Sequence, residues 1–269
     1  MTRRRARAGG GGGGAPRRRG RFRFRFRASL PRLPLALAAL AVTGALALAN
    51  AVWQLARKPT EILGLVAPGG PKAPRTTWSE YGPLFREHST DVIRPELLAA
   101  LAQVESAGDP FARTYWRWRW SWNPLEVYRP ASSAVGLLQM TDGNLAEAGR
   151  LCIRAHAVVR EGAWPDPGAC RPDALSFRTV PSHAIEMTAA WLHVSVIEIL
   201  QRARIPRASL EEKERLAAVI HLCGRERGAA YARRGFRARP GERCGDHALS
   251  GYLDRVQYWK AAFEVMDGR

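Results

Sequence analysis

The sequence predicts a predominantly helical α+β domain behind an N-terminal membrane-spanning helix. Residues Leu35 to Leu55 form an uncharged apolar run that is long enough to cross a bilayer as a helix. Beyond residue 95, apolar side chains recur at helical spacing in several segments, whereas the pattern typical of strands is confined to residues 114–128.

Positive charge is concentrated at the N-terminus. Residues 1–34 contain twelve arginines and no acidic residue, out of a formal net charge of +18. Residues 81–269 hold 26 Lys and Arg against 22 Asp and Glu, a net charge of +4, which is too weak for a nucleic-acid-binding surface. We therefore expect no nucleic-acid partner, although the alternating Arg and Phe of residues 21–27 could contact nucleic acid or anionic lipid.

The charge asymmetry also predicts the topology. Residues 1–34 are interpreted as a basic cytoplasmic arm and residues 35–56 as a transmembrane signal anchor, followed by only Arg57 and Lys58. We expect a single-pass protein of the bacterial inner (cytoplasmic) membrane, with its domain on the periplasmic, extracytoplasmic side. A cleaved signal peptide is the alternative, since small residues recur at positions 45–49.

Proline and glycine mark the start of the exported part. They predict a semi-extended linker over residues 57–77, with a reach of roughly 70 Å at about 3.3–3.6 Å per residue. The folded domain is expected over residues 78–269, and five of its helices are predicted: from Pro95 to Gly108, after Thr141-Asp142, from about His183 to Ala203, from the capping box of Ser209 and Glu212 to Gly224, and after Ser250.

Four cysteines lie in the exported part, and an even number in an oxidising compartment predicts two disulfides. We pair Cys152 with Cys170 and Cys223 with Cys244, because each pair brackets a short loop containing Pro or Gly. Four buried free thiols are the alternative. The spacing lacks the close pairs of a zinc site.

Glu105 is the first candidate for chemistry. It lies at the end of the Pro95 helix on an apolar stripe with Leu98 and Leu101. Burial raises the pKa of a carboxyl toward neutrality, where it can hold a proton and deliver it to a glycosidic oxygen. The alternative is an ordinary glutamate in solvent at a helix end.

Two separated motifs surround this residue. Glu-Ser-Ala-Gly-Asp-Pro at 105–110 and Ser-Ser-Ala-Val-Gly-Leu-Leu-Gln-Met-Thr at 132–141 resemble the signature motifs of soluble lytic transglycosylases and goose-type lysozymes. The resemblance covers roughly residues 81–269. It implies a lysozyme-like catalytic domain that cuts peptidoglycan glycan strands between N-acetylmuramic acid and N-acetylglucosamine, with no metal or cofactor.

The same resemblance implies roles for individual residues. Glu105 becomes the catalytic acid/base and Ser106 a cleft hydroxyl, while Gln139 and Met140 form the wall near the scissile bond. Gly136 allows close backbone approach.

The sequence departs from the family pattern near its C-terminus. His221-Leu222-Cys223-Gly224 stands where the family has Tyr-Asn-Ala-Gly, so His221 is expected to replace a cleft tyrosine. Gly251-Tyr252-Leu253 resembles the family's Tyr-Val ending, which makes Tyr252 a second cleft candidate. Packing in the core is the alternative for both side chains.

An insert between the two motifs is rich in tryptophan. Strand alternation places its tryptophans on one face and its arginines on the other, namely Trp116, Trp118, Trp120 and Trp122 against Arg117 and Arg119. That face could stack on sugar rings, pack on the domain's own core, or contact a membrane surface.

Only one persuasive carboxylate is present, since Asp109, Asp142 and Glu126 are interpreted as a turn former, a helix cap and a residue of the insert. Ordinary glycosidases need two carboxylates. A single one suffices if ring closure by the muramic C6 hydroxyl yields a 1,6-anhydro product. The alternatives are a muramidase of the same fold and a non-catalytic wall-binding scaffold of the envelope.

Overall fold

The computed structural model describes residues 32–58, 69–112, 114–160 and 178–268. The chain divides into two units, residues 1–44 and 45–269. The described part of the first unit is the beginning of helix α1, Arg32–Arg57, whose leucines are exposed. This helix is long and apolar enough to cross a membrane.

The second unit contains the last turns of α1 and every other described element, and it is predominantly helical. Its further helices are α2 (Pro74–Glu87), α3 (Pro95–Ser106), α4 (Asp142–Ala148), α5 (Pro181–Arg202), α6 (Leu210–Cys223), α7 (Arg225–Arg233) and α8 (Leu249–Met266). Three antiparallel pairs of short strands accompany them: β1 (Trp116–Trp118) with β2 (Tyr128–Pro130), β3 (Leu151–Arg154) with β4 (Ala157–Arg160), and β5 (Arg243–Cys244) with β6 (His247–Ala248).

Two helices form the centre of the core. Helix α3 packs mainly against α8 and α2, and its residues 97–102 are all buried. Helix α6 packs against α5 and α7, and its apolar residues 216–220 are at most 1% exposed. The capping box of Ser209 and Glu212 at its start is also present. The five predicted helices are therefore confirmed, with ends that shift by one or two residues.

The prediction that strands are confined to residues 114–128 is wrong. The hairpin of β3 and β4 turns at Ala155 and His156, which have φ angles of 47° and 64°. Such a turn normally carries Asn or Gly, so nothing in the sequence signals it. His156 Nδ1 lies 3.0 Å from the carbonyl oxygen of Ser89, a tertiary contact at this turn.

The predicted linker over residues 57–77 is partly folded. Helix α2 begins at Pro74, four residues before the expected domain start. Upstream of it, the amide of Lys72 donates to the carbonyl of Ala107 at 2.7 Å, and Gln103 Nε2 donates to the carbonyl of Lys72 at 3.2 Å. The segment from Gly69 onward therefore belongs to the folded domain. It cannot act as an extended linker, so the expected linker reach of 70 Å does not apply.

Cys223 and Cys244 form a disulfide, with 5.3 Å between their Cα atoms, which confirms the predicted pair. It joins the end of α6 to β5. None of the described cysteines is free. Cys170, the predicted partner of Cys152, lies outside the described residues.

A buried ion cluster joins α3, α6 and α8. Arg94, the residue before α3, binds both oxygens of Glu214 at 2.7 and 3.0 Å, and Lys260 Nζ lies 2.6 Å from Glu214 Oε2. Glu264 completes the cluster at 3.2 Å from Arg94. The hydrogen bonds with Glu214 raise the pKa of Arg94 above its ordinary value. The three helices are therefore held together by charge as well as by apolar packing.

Candidate functional site

Three side chains from these helices meet at the predicted acid. The hydroxyl of Tyr252, from α8, donates to Glu105 Oε1 at 2.6 Å. His221 Nε2, from the last turn of α6, lies 3.6 Å from the same oxygen. No described residue hydrogen-bonds Glu105 Oε2. The structure thus brings together three of the predicted site residues, one from each helix.

Burial differs among the three. Tyr252 is 2% exposed and the His221 side chain 6% exposed, whereas the Glu105 side chain is 19% exposed. Glu105 therefore combines largely buried surroundings with an edge that solvent reaches. The predicted alternative, a glutamate simply immersed in solvent, does not describe it.

The end of α3 determines where Glu105 stands. Ala107 adopts the left-handed conformation, with φ 51°, and closes the helix one residue after Ser106. Gly108 follows with φ 74°, and a Cβ there would lie 2.3 Å from Thr77 Oγ1. The turn after Glu105 thus needs glycine because α2 packs directly against it.

Tyr252 is a persistent hydrogen-bond donor. Its burial first, and then the charge and hydrogen bond of Glu105, raise the pKa of the Tyr252 hydroxyl well above its ordinary value of 10. The hydroxyl consequently keeps its proton across the whole physiological range. The Glu105 carboxylate is therefore supplied with a fixed donor on Oε1.

Ser106 does not provide the predicted cleft hydroxyl. Its side chain is buried, and Oγ lies 2.6 Å from the carbonyl oxygen of Leu137 and 2.9 Å from that of Ala102. One hydroxyl proton serves these two acceptors. Ser106 consequently ties the end of α3 to the second motif, and its role is to position Glu105.

Gly136 allows a close backbone approach, as predicted, and the backbone that approaches it is the chain's own. Its φ angle is 85°, and a Cβ would lie 1.8 Å from the backbone oxygen of Arg178. The Arg178 guanidinium donates to the carbonyls of Ser133 and Met140 and pairs with Asp142 at 2.7 Å. Arg178 lies outside the second motif in the sequence and holds that motif in place through these contacts. Because Arg178 belongs to no motif, the sequence does not indicate this role.

Gln139 and Met140 separate into different roles. Val135 and Met140 pair their backbones across a tight turn, in which Gln139 has φ 47°. Gln139 remains half-buried, and its Nε2 donates to the carbonyl of Gly136 at 2.9 Å. Met140 is only 3% exposed and packs in the core, so its place in the cleft wall stays a prediction.

The other carboxylates considered as partners are engaged elsewhere. Asp109 Oδ1 accepts from the Phe111 amide at 2.9 Å, as expected for a turn former. Glu126 pairs with Arg57 and Arg129 at 2.9 and 2.7 Å. Asp142 is the first residue of α4 and pairs with Arg178, while its own amide donates to the Ser133 hydroxyl at 3.3 Å. Each of the three has a structural role.

Comparison with protein-family models finds no match for this chain, and comparison with curated proteins finds none either. The geometry of the site therefore carries the functional argument.

Proposed function

We propose that this chain is a peptidoglycan lytic transglycosylase that cleaves the β-1,4 bond between N-acetylmuramic acid and N-acetylglucosamine. The observation that carries the proposal is the single carboxyl of Glu105, largely buried and held on one oxygen by Tyr252. The two motifs that resemble those of lytic transglycosylases are joined next to Glu105, where the Ser106 hydroxyl lies 2.6 Å from the Leu137 carbonyl oxygen.

The proposed reaction uses Glu105 twice. Glu105 first donates a proton to the glycosidic oxygen as the bond to the muramic C1 breaks, and the substrate's own N-acetyl group stabilises the developing cation. The resulting carboxylate then accepts the proton of the muramic C6 hydroxyl, whose oxygen bonds to C1. The product is a 1,6-anhydro sugar, no water is consumed, and Glu105 ends protonated as it began.

The contacts of Glu105 suit these two steps. Tyr252 donates to Oε1, so Oε2 is the oxygen that carries the moving proton. Tyr252 stabilises the carboxylate between the steps. At 3.6 Å, His221 Nε2 is too far from Glu105 Oε1 for a hydrogen bond, and its imidazole lies beside the carboxyl.

Substitution of Tyr252 by Phe tests the role proposed for the Tyr252 hydroxyl, which is to stabilise the Glu105 carboxylate. We expect the rate of wall lysis to fall roughly 10- to 100-fold, since a hydrogen bond to a charged group is worth about 1.5–3 kcal/mol. Because the pKa of Tyr252 is raised, its hydroxyl stays protonated well past pH 10, and the wild-type enzyme should show no alkaline loss of activity from this residue below that pH. A variant that loses thermal stability without losing activity would contradict the assignment.

We also propose that α1 anchors the enzyme in the bacterial inner membrane, with the basic arm in the cytoplasm and the domain facing the wall. Its length and apolar composition support an anchor, and the arginines of residues 1–34 support the orientation.

Mass spectrometry of the products tests the reaction. Purified wall sacculi digested with the full-length protein should release muropeptides one water lighter than hydrolytic fragments, because ring closure replaces hydrolysis. Fragments with reducing-end sugars alone would instead identify a muramidase. Binding to sacculi without any release would identify a wall-binding scaffold.

A further inference from the structure

Tryptophan is exposed to an unusual degree on one hairpin, residues 115–130, which we call the tryptophan hairpin. Trp118, Trp120 and Trp122 are 76%, 87% and 93% exposed. These values exclude the predicted alternative in which the tryptophans pack on the domain's own core. Large aromatic surface left open in this way marks an interaction site.

The hairpin presents its aromatic rings in a fixed arrangement. Trp116 and Trp118 both contact Tyr128 on β2, with centroids 5.3 and 4.8 Å apart, so they share one face as the alternation predicted. The strand ends at Trp118. Trp120 and Trp122 lie beyond it and contact each other edge to face at 6.2 Å.

The hairpin is docked on the last turns of α1. Asn50 Nδ2 donates to the carbonyl of Pro124 at 3.2 Å, and Gln54 Nε2 donates to the carbonyl of Leu125 at 2.6 Å. One turn later Arg57 pairs with Glu126 at 2.9 Å. Residues 50, 54 and 57 lie on one helix face, and Asn50 and Gln54 are only 5% and 6% exposed.

These contacts place the hairpin beside the C-terminal end of the apolar run. The uncharged run of α1 ends at Leu55, and Asn50 lies five residues earlier, about 7.5 Å along the helix at 1.5 Å per residue. The loop that accepts from Asn50 and Gln54 is therefore level with the outer end of the span. Tryptophan is enriched at this level of membrane proteins, because its ring is apolar and its N–H is polar.

We propose that the tryptophan hairpin inserts Trp118, Trp120 and Trp122 into the interfacial layer of the bilayer that α1 crosses. The partner is a lipid surface, and the exposed Arg117 and Arg119 of the same segment would meet its phosphates. The inference rests on the proposed membrane anchor and is independent of the proposed activity.

The hairpin would hold the domain close to the membrane. Two hydrogen bonds hold the base of the hairpin. Tyr115 donates to Asp246 of the domain at 3.0 Å, and Lys58 Nζ, at the end of the anchor, donates to Thr114 at 2.9 Å. Gln139 Nε2 donates to the carbonyl of Ala112 at 3.4 Å, so the second motif contacts a residue that precedes the hairpin in the sequence. An enzyme held in this way reaches only the wall nearest the membrane.

Stacking on sugar rings is the rival role for these tryptophans. The contacts with α1 favour lipid, because they place the hairpin beside the end of an apolar span. Fluorescence can separate the two roles. Brominated lipid quenches tryptophans that insert into the bilayer, whereas bound glycan shields tryptophans from an aqueous quencher.

Tryptophan fluorescence of the full-length protein in vesicles tests the proposal. The vesicles contain phosphatidylcholine, phosphatidylglycerol and a phosphatidylcholine brominated near its headgroup, and the comparison is between wild type and the W118F/W120F/W122F variant. W53F is the matched control, since Trp53 lies in α1 beside Arg57. Far-ultraviolet circular dichroism checks that each variant is folded.

We expect bromolipid to quench wild type strongly, the triple variant to lose at least half of that quenching, and W53F to lose much less. Equal quenching of wild type and triple variant would overturn the proposal while leaving the anchor intact. Release of the protein from vesicles by alkaline carbonate would overturn the anchor and the hairpin's role together. Soluble glycan fragments that protect the tryptophans from aqueous quencher, with no effect of bromolipid, would assign the hairpin to sugar.

Discussion

Replacement of Glu105 by Gln should lower the rate of wall lysis at least 1,000-fold. The amide keeps the size of the side chain and can still accept from Tyr252, but it neither donates a proton to a leaving oxygen nor accepts one from a hydroxyl. General acid/base catalysis by one group contributes about 10²- to 10⁴-fold, and here the same group serves both steps. The measurement is the release of soluble muropeptides from purified sacculi.

Glu211→Gln is the matched control for that experiment. Glu211 is exposed in the first turn of α6, and its loss removes the same charge far from Tyr252 and His221. It should leave both lysis and thermal stability unchanged. If Glu105→Gln kept a tenth or more of wild-type lysis while Glu211→Gln behaved normally, Glu105 would not be the acid and the proposed reaction would be wrong.

The sequence predicted which side chains come together at Glu105 better than it predicted the contacts that support them. Glu105, His221 and Tyr252 were identified by the resemblance of their surroundings, and they do meet. Ser106, Gly136 and Met140 belong to the same motifs, but their contacts are with other parts of the protein. A shift of one position along a helix or turn changes whether a side chain faces a cleft or the core. Sequence spacing does not resolve that difference.

The fold was predictable where the signal is local. Helices with an apolar stripe, a capping box or a terminal glycine could be placed within two residues, as α6 illustrates. The turn at Ala155 and His156 could not, since its residues are atypical for positive φ and a contact with Ser89 holds it. Contacts between distant segments, such as Arg178 against Gly136, leave no pattern in a single sequence.

The ion cluster that joins α3, α6 and α8 is another long-range feature that the sequence did not indicate, and it is the basis of a prediction about stability. Glu214 is 2% exposed and lies between Arg94 and Lys260. Glu214→Gln would leave both cations facing a neutral amide, with Glu264 and the buried Glu96 as further carboxylates near Arg94. Removal of one partner from a buried pair costs about 3–5 kcal/mol, so we expect the free energy of unfolding to fall by roughly 3 kcal/mol.

Glu211→Gln is again the control, because it removes the same charge from an exposed position of the same helix. Chemical unfolding of the full-length protein in detergent, followed by circular dichroism, gives the measurement. A change below about 1 kcal/mol for Glu214→Gln would show that the remaining carboxylates, Glu264 and Glu96, can neutralise the cluster, and the prediction would be wrong.

The cluster should also affect lysis, because it joins the three helices that carry the site. Glu214 lies two turns before His221 on α6, and Lys260 lies about two turns after Tyr252 on α8. Replacing Lys260 with Met in the Glu214→Gln background removes a buried cation that has lost its nearest carboxylate and should restore part of the lost stability. If lysis recovers with stability, the cluster acts on the site by holding the helices together. Recovery of stability alone would show that Arg94 and Glu214 are needed in place to align Glu105 with Tyr252.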